Sequence, residues 1–306
     1  MKAVIDLGTN TFHLMVASVE ENALKVHCKL QIPVMIGEKG INDGFIAELA
    51  YERGMKALSL FKDQLLIYPV TDLKVFGTSA IRDARNGLQF IEEAENRFGF
   101  KIKAISGELE ASLIYEGVRR SIPSTDQPIL VMDIGGGSVE FSIGLKEQIW
   151  WKKSYAIGAA RLMDKFHHHD PILTEEVLSL QYYLEKELVE LKQEASKYQI
   201  GILVGAAGSF ETLHDVLQLD FNRKAKLMKG MASEITLENL QFFCDKMISF
   251  NHAERKSLQG MLIFRSEMIV VSAILMDLVA RITNVKRVII SEYALKEGML
   301  FDRQNE

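Results

Sequence analysis

The sequence predicts an α/β protein in which one lobe is used twice, with a cleft between the copies. Three observations carry this. Short apolar strand segments alternate with segments of helical apolar spacing along the chain, the pattern of a layered α/β architecture. Val4-Ile5-Asp6-Leu7-Gly8 returns as Val131-Met132-Asp133-Ile134-Gly135, and the same offset pairs Thr11 with Ser138. At nearly that offset, Val75-Phe76-Gly77 is echoed by Leu203-Val204-Gly205. A repeat this long is not a solenoid period.

The elements follow in order. Segments 4–7, 12–17 and 24–30 read as strands, 46–66 as a helix, 73–76 as a buried strand, 82–98 as one helix, 101–105 as a strand and 109–118 as a helix. The pattern then restarts. Segments 129–134, 139–143 and 148–155 read as strands, and a long helix covers about 175–197. A buried strand at 202–204, helices within 235–283, a strand at 288–290 and a helix at 294–301 complete the chain. Pro123-Ser124-Thr125-Asp126-Gln127-Pro128 is turn-rich and separates the copies. The expected lobes are 1–123 and 124–306, with the last helix free to pack back on the first lobe. The lobes are expected to move about residues 121–128.

Composition narrows the function classes. The chain has 306 residues, 48% of them hydrophobic and 25% charged, enough for two lobes with proper cores. A formal net charge of -5 argues against a nucleic-acid partner, whose binders are usually basic. Cys28 and Cys244 form no CxxC pair. The stretch from Met268 to Val279 is broken by Ser272 and Asp277 and is too short to span a bilayer. No leader precedes the strand at Ala3-Val4-Ile5, so a cytoplasmic protein without membrane contact is expected.

The repeated turns carry the chemistry. In each, an apolar strand delivers an aspartate, Asp6 or Asp133, and then small residues turn the chain back: Gly8, Thr9, Asn10 and Thr11 in one copy, Gly135, Gly136, Gly137 and Ser138 in the other. Glycine permits close backbone approach, and successive N–H groups with nearby hydroxyls suit a phosphate. Like charges repel, so each carboxylate is expected to hold Mg²⁺ rather than touch phosphate. A single D-x-G turn is ordinary hairpin chemistry; two at one offset, each after an apolar strand, are not.

A second pair of turns, Gly77-Thr78-Ser79-Ala80 and Gly205-Ala206-Ala207-Gly208-Ser209, follows buried strands and opens helices, which makes Gly208 and Ser209 anion-site candidates. Plain helix caps would look the same. Glu108, Glu110 and Glu140 are candidates for handling water. Glu108 and Glu110 stand two apart on a helix, so at most one faces the cleft. Strand alternation turns Glu140 away from apolar Val139 and Phe141. Arg82 can clamp a phosphate or be a surface arginine. His13 reads as structural. His167-His168-His169-Asp170 has the wrong spacing for a metal site. Arg223, Lys224, Lys226 and Lys229 read as a solvated basic face.

The segments Ile5 to Phe12, Gly77 to Arg82, Ile105-Ser106-Gly107-Glu108-Leu109-Glu110-Ala111, Asp133 to Glu140, Gly205 to Ser209 and Ser291 to Gly298 together resemble the exopolyphosphatase and guanosine pentaphosphate phosphohydrolase family. The Ser-Gly-x-x-Glu-Ala segment combined with Asp-Ile-Gly-Gly-Gly-Ser is the specific part. The resemblance implies two ribonuclease H-like lobes of the actin-like ATPase type. It implies release of terminal phosphate from polyphosphate or guanosine pentaphosphate with Mg²⁺. Glu110 matches the catalytic base, Glu140 a second functional glutamate, Arg82 a phosphate-contacting arginine, and Asp6 and Asp133 the metal-organising carboxylates. Relatives are commonly dimers, so a homodimer is allowed.

Leu109, Lys296 and Glu267 depart from the residues frequent in the family, and longer relatives carry a further helical domain that helps hold long polyphosphate. A small-molecule kinase of the same fold remains open on the loops alone, as does a non-catalytic phosphate sensor.

Overall fold

The computed structural model describes residues 1–20, 23–228 and 230–302. The first sheet contains β1 (Lys2–Leu7), β2 (Thr11–Glu20), β3 (Ala23–Pro33), β4 (Asp72–Gly77) and β5 (Ile102–Ala104), in the order β3-β2-β1-β4-β5. The first three strands are an antiparallel meander, and β4 and β5 run parallel to β1. The second copy repeats this with β6 (Ile129–Ile134), β7 (Val139–Leu145), β8 (Gln148–Tyr155), β9 (Ile202–Ala206) and β12 (Arg287–Ser291), in the order β8-β7-β6-β9-β12 with the same strand directions. The repeat in sequence is thus a repeat in topology: two ribonuclease H-like lobes of actin-like type. Two short antiparallel strands, β10 (Lys226–Leu227) and β11 (Ala232–Ile235), extend the second sheet beyond β12.

Strand alternation sets which side chains meet. On β1, Ala3, Ile5 and Leu7 enter the core of the first lobe, while Val4 enters an inner core between the lobes. On β6, Leu130, Met132 and Ile134 enter the core of the second lobe, while Ile129 and Val131 join Val4 in the inner core. Asp6 and Asp133 continue the inward-facing rows.

Two helices complete the inner core, α4 (Gly107–Ser121) and α12 (Leu295–Phe301), and they pack directly on each other. A Cβ on Gly298 would lie 1.8 Å from Leu113 O, and one on Gly117 would lie 2.3 Å from Ala294 O. Glycine is required there because the two backbones touch. The short helix α12 also packs against β1 and β2, so the end of the chain returns to the first lobe. Ser121 Oγ and Ser291 Oγ, where the chain leaves one lobe and later the other, are 2.6 Å apart.

The remaining helices are α1 (Glu48–Leu65), α2 (Ser79–Asp83), α3 (Gly87–Phe98), α5 (Ala159–Phe166), α6 (Thr174–Glu187), α7 (Val189–Lys197), α8 (Ala207–Leu219), α9 (Leu237–Ser249), α10 (His252–Ser257) and α11 (Ile269–Ile282). Two of the long helices expected are each two helices. The segment 82–98 breaks between α2 and α3, where Asn86 bonds both N and O of Ile46 and Gly87 lies against Ile81 O. The segment 175–197 bends at Leu188, which is fully buried; the bend keeps Leu180, Leu184, Leu191 and Ala195 on the core as well.

Candidate active site

Both D-x-G turns open into one cavity of about 140 Å³ between the lobes. Its floor is the turn joining β1 to β2 and the turn joining β6 to β7, pressed together. A Cβ on Gly136 would lie 2.5 Å from Asn10 Oδ1, and one on Gly137 would lie 2.5 Å from Ser79 Oγ and 2.8 Å from Thr9 Oγ1. Each turn has its carbonyls occupied from behind. Asn10 O accepts from the N–H groups of Val34 and Met35, and the carbonyls of Gly135 and Gly136 accept from Ala159 and Ala160 at the start of α5. Gly135 N closes its turn on Ser138 O at 3.0 Å; a turn of successive N–H groups of this kind can serve as an anion nest.

The second pair of turns lines the same cavity, through Thr78 and Ser79 in one lobe and Ala207, Gly208 and Ser209 in the other. Ala207 has φ of 61°, a left-handed conformation costly for alanine. Such strain is retained at sites where the surrounding structure fixes the backbone.

Five carboxylates line this space: Asp6, Glu110, Asp133, Glu140 and Glu211. Burial raises Asp6 to about 7, with Lys296 acting against the rise, and Asp6 Oδ1 is shut off from solvent with no hydrogen-bond partner. Burial, then the charges of Glu140 and Asp6, push Asp133 well above the usual carboxylate range. Burial and the neighbouring Glu140 raise Glu110 likewise, while Arg82 works in the opposite direction. Burial raises Glu140 too, against bonds from Ser138 and Ser154; the Ser154 hydroxyl donates at 2.7 Å. Carboxylates buried this close disfavour one another's charge, which Lys296 offsets only in part.

Glu110 lies in the first turn of α4, capped by Ser106, whose Oγ accepts from Leu109 N. It is 7% exposed, whereas Glu108 points to solvent. Arg82 does not line the cavity. It lines an adjoining groove and reaches the site through Glu110 Oε2, at 3.2 Å from Nη1, and through Asp83, at 3.0 Å from Nε. Apart from Glu108, every other residue singled out from the sequence as phosphate-binding, metal-holding or catalytic lines the cavity.

Sequence reasoning missed several lining groups. His13 faces the cavity rather than serving the core, and its Nδ1 has no partner. Burial and the cations Lys296 and Arg265 hold its imidazole well below the ordinary histidine value. The signal was available, because Phe12, Leu14 and Val16 enter the first-lobe core and alternation sends His13 the other way. Lys296, noted only as a departure, is buried beside Glu297 at 3.5 Å; burial works against its charge, but Glu297, Glu211 and Asp6 outweigh that and hold its amine above the ordinary range. Arg265 closes another wall, donating to Gly208 O at 2.7 Å and pairing with Glu211 at 3.3 Å.

The histidine run serves structure. His169 pairs with Glu176, and Asp170 accepts from Arg255 at 2.9 Å. Among the described residues no three His, Cys, Asp or Glu side chains form a ready-made metal cage. In the basic cluster, Arg223 lies over the Phe242 ring and bonds Asn239; Lys229 falls outside the described residues.

Comparisons with known proteins agree with this fold. The model of the Ppx/GppA phosphatase family matches residues 15–306. An exopolyphosphatase from Cytophaga hutchinsonii is 33% identical with a TM-score of 0.93, over 98% of this chain and 96% of that one. The Aquifex aeolicus PPX-GPPA enzyme is 25% identical with a TM-score of 0.79, over 97% of each chain. No helix among the described residues is long and apolar enough to cross a membrane. The chain is a hydrolase of phosphoanhydride bonds, and it belongs to the Ppx/GppA phosphatase family.

Proposed function

We propose that the chain releases the terminal phosphate of inorganic polyphosphate or guanosine pentaphosphate by direct attack of water. The observation that carries this is the meeting of Glu110 with two glycine-containing turns and two aspartates in one cavity. Glu110 orients the water and takes its proton. A carboxylate with a raised pKa is the stronger base once ionised, and Arg82 keeps ionisation within reach. The turns offer backbone N–H groups to the oxygens where charge develops.

The donor set fits Mg²⁺. Asp6 has an unpartnered buried oxygen and Asp133 lies in the matching position, which supplies the one or two carboxylates such an ion uses alongside water and substrate phosphates. When bound, the ion neutralises charge on the phosphoryl oxygens.

The metal role of Asp6 has a consequence for stability. Asp6 has a folded value of about 7 against an ordinary 3.8, so the fold favours its protonated form. Stability from that preference is full below about pH 3.8 and is lost as pH rises through about 7. In chelator, the melting temperature should therefore fall between pH 5 and pH 8, and Mg²⁺ should restore it most at the higher pH. A melting temperature indifferent to Mg²⁺ across that range would remove Asp6 from the metal role.

One observation bears on the nucleotide substrate. A groove of about 370 Å³ opens beside the cavity past Glu211 and Arg265, and carries Asp215, Glu292 and Tyr293. Carboxylates repel a polyphosphate tail but accept hydrogen bonds from the N–H edge of a purine. The test is phosphate release in Mg²⁺ from short polyphosphate, long polyphosphate and guanosine pentaphosphate, with no acceptor added. Release without acceptor is expected; turnover only with a hydroxyl acceptor would make the protein a kinase.

A further inference from the structure

Asp83 ends α2 beside the site and has no part in the chemistry above. Its Oδ1 accepts from Arg82 Nε at 3.0 Å and its Oδ2 from Ser79 Oγ at 2.9 Å. Arg161, on α5 of the other lobe, brings Nη2 to within 3.6 Å of Asp83 Oδ2. Both arginines are engaged elsewhere as well. Arg82 Nη1 donates to Ile105 O at 3.1 Å and to Glu110 Oε2 at 3.2 Å. Arg161 Nε donates to Gly137 O at 2.8 Å, and its Nη1 crosses the cleft to Ile41 O at 2.7 Å.

One carboxylate therefore stands between two guanidinium groups. The first touches Glu110, and the second holds a glycine of the second phosphate turn while reaching across the cleft. Without that carboxylate the two cations would repel, and each would draw its other partners away. The contacts of Arg161 with Ile41 and Asp83 both join the lobes, so both must loosen when the cleft opens. Beside them Asn42 Nδ2 donates to Asp164 Oδ2 at 2.6 Å, a further crossing at the same edge. A guanidinium reaches its three partners through a rigid fork; an ammonium has no such geometry.

We propose that Asp83 is a positioning residue that ties the meeting of the lobes, sensed through Arg161, to the orientation of Glu110, set through Arg82. The proposal rests on the reading of Glu110 as the group that handles water. It makes Asp83→Asn a defect in turnover, since Arg161 keeps its bond to Ile41 O for closure. It makes Arg161→Lys a defect in both turnover and KM, since closure itself is weakened.

The experiment is steady-state phosphate release from short-chain polyphosphate in Mg²⁺, with wild type, Asp83→Asn, Arg161→Lys, the double variant and Glu110→Gln, each checked by thermal melting. The expected result is a kcat loss of about 10- to 100-fold for each single variant, the scale of a misplaced catalytic group. The double variant should lose no more than the worse single, because both break one chain of contacts. KM should rise for Arg161→Lys and stay near wild type for Asp83→Asn. A merely structural role would lower melting temperatures without the kcat–KM split. Losses that multiply in the double variant overturn the proposal, as does wild-type turnover in Asp83→Asn beside an inactive Glu110→Gln. Wild-type turnover in Glu110→Gln overturns the assignment of Glu110, and this proposal with it. Should Asp83→Asn fail to fold, Asp83→Ser takes its place in the cycle.

Discussion

Glu110→Gln should fold as the wild type does, bind substrate, and turn it over about 100-fold more slowly or worse, in the range for loss of a general base. The change is nearly isosteric. Glutamine keeps an oxygen for Arg82 Nη1 and removes only the capacity to take a proton. It also removes one of five carboxylates lining the cavity. Burial and the charge of Glu140 already disfavour an ionised Glu110, so the variant should melt at or above the wild-type temperature. Activity and stability are thus expected to move in opposite directions, which separates a lost base from a damaged fold. Phosphate release near the wild-type rate would take Glu110 out of the role.

Gly298→Ala should cost about 3 kcal/mol or more, the upper part of the overpacking range. One methyl group placed 1.8 Å from Leu113 O cannot be accommodated by a rotamer change, because the obstacle is backbone. The helix α12 must move off α4. Because α12 also carries Lys296 and Leu295 into the cavity wall, the same displacement should lower turnover. Denaturant unfolding read beside phosphate release checks both. A Gly298→Ala variant as stable as wild type would mean the two helices are not held at backbone contact. An exposed glycine such as Gly99, with open space where its Cβ would be but φ of 78°, is the useful contrast: its substitution should cost backbone strain alone and leave the site intact.

The sequence was most informative where one residue type and one local period decide the outcome. The two aspartates could be placed because each ends an apolar strand before a small-residue turn, at one repeat offset. Helix geometry limited Glu108 and Glu110 to one cleft-facing residue, and the family resemblance pointed to Glu110. His13 was open to an argument from strand alternation. The other missed groups had no such local sign: Glu211, Arg265 and Lys296 lie on three different segments, and only packing of α8, the 3-10 turn at Ile263–Arg265 and α12 brings them to one cavity. The strands β10 and β11 were missed because two and four residues are too few to show a period. The helix breaks at Asn86 and Leu188 arise from tertiary contacts, a side chain bonding a distant backbone and a buried leucine, which apolar spacing alone does not register.

The contact of Ser121 with Ser291 has a mechanical meaning. The polypeptide passes between the lobes at these two places, and the two passages are fastened to each other. Two bodies joined by a single thread can drift, twist and rejoin in many ways. Two bodies joined by paired threads at one spot behave like covers on a spine: they swing apart and return along the same arc. Under the proposed function, an opening that admits substrate is expected to bring Gly136 back onto Asn10 and Arg161 back onto Ile41 in the same register.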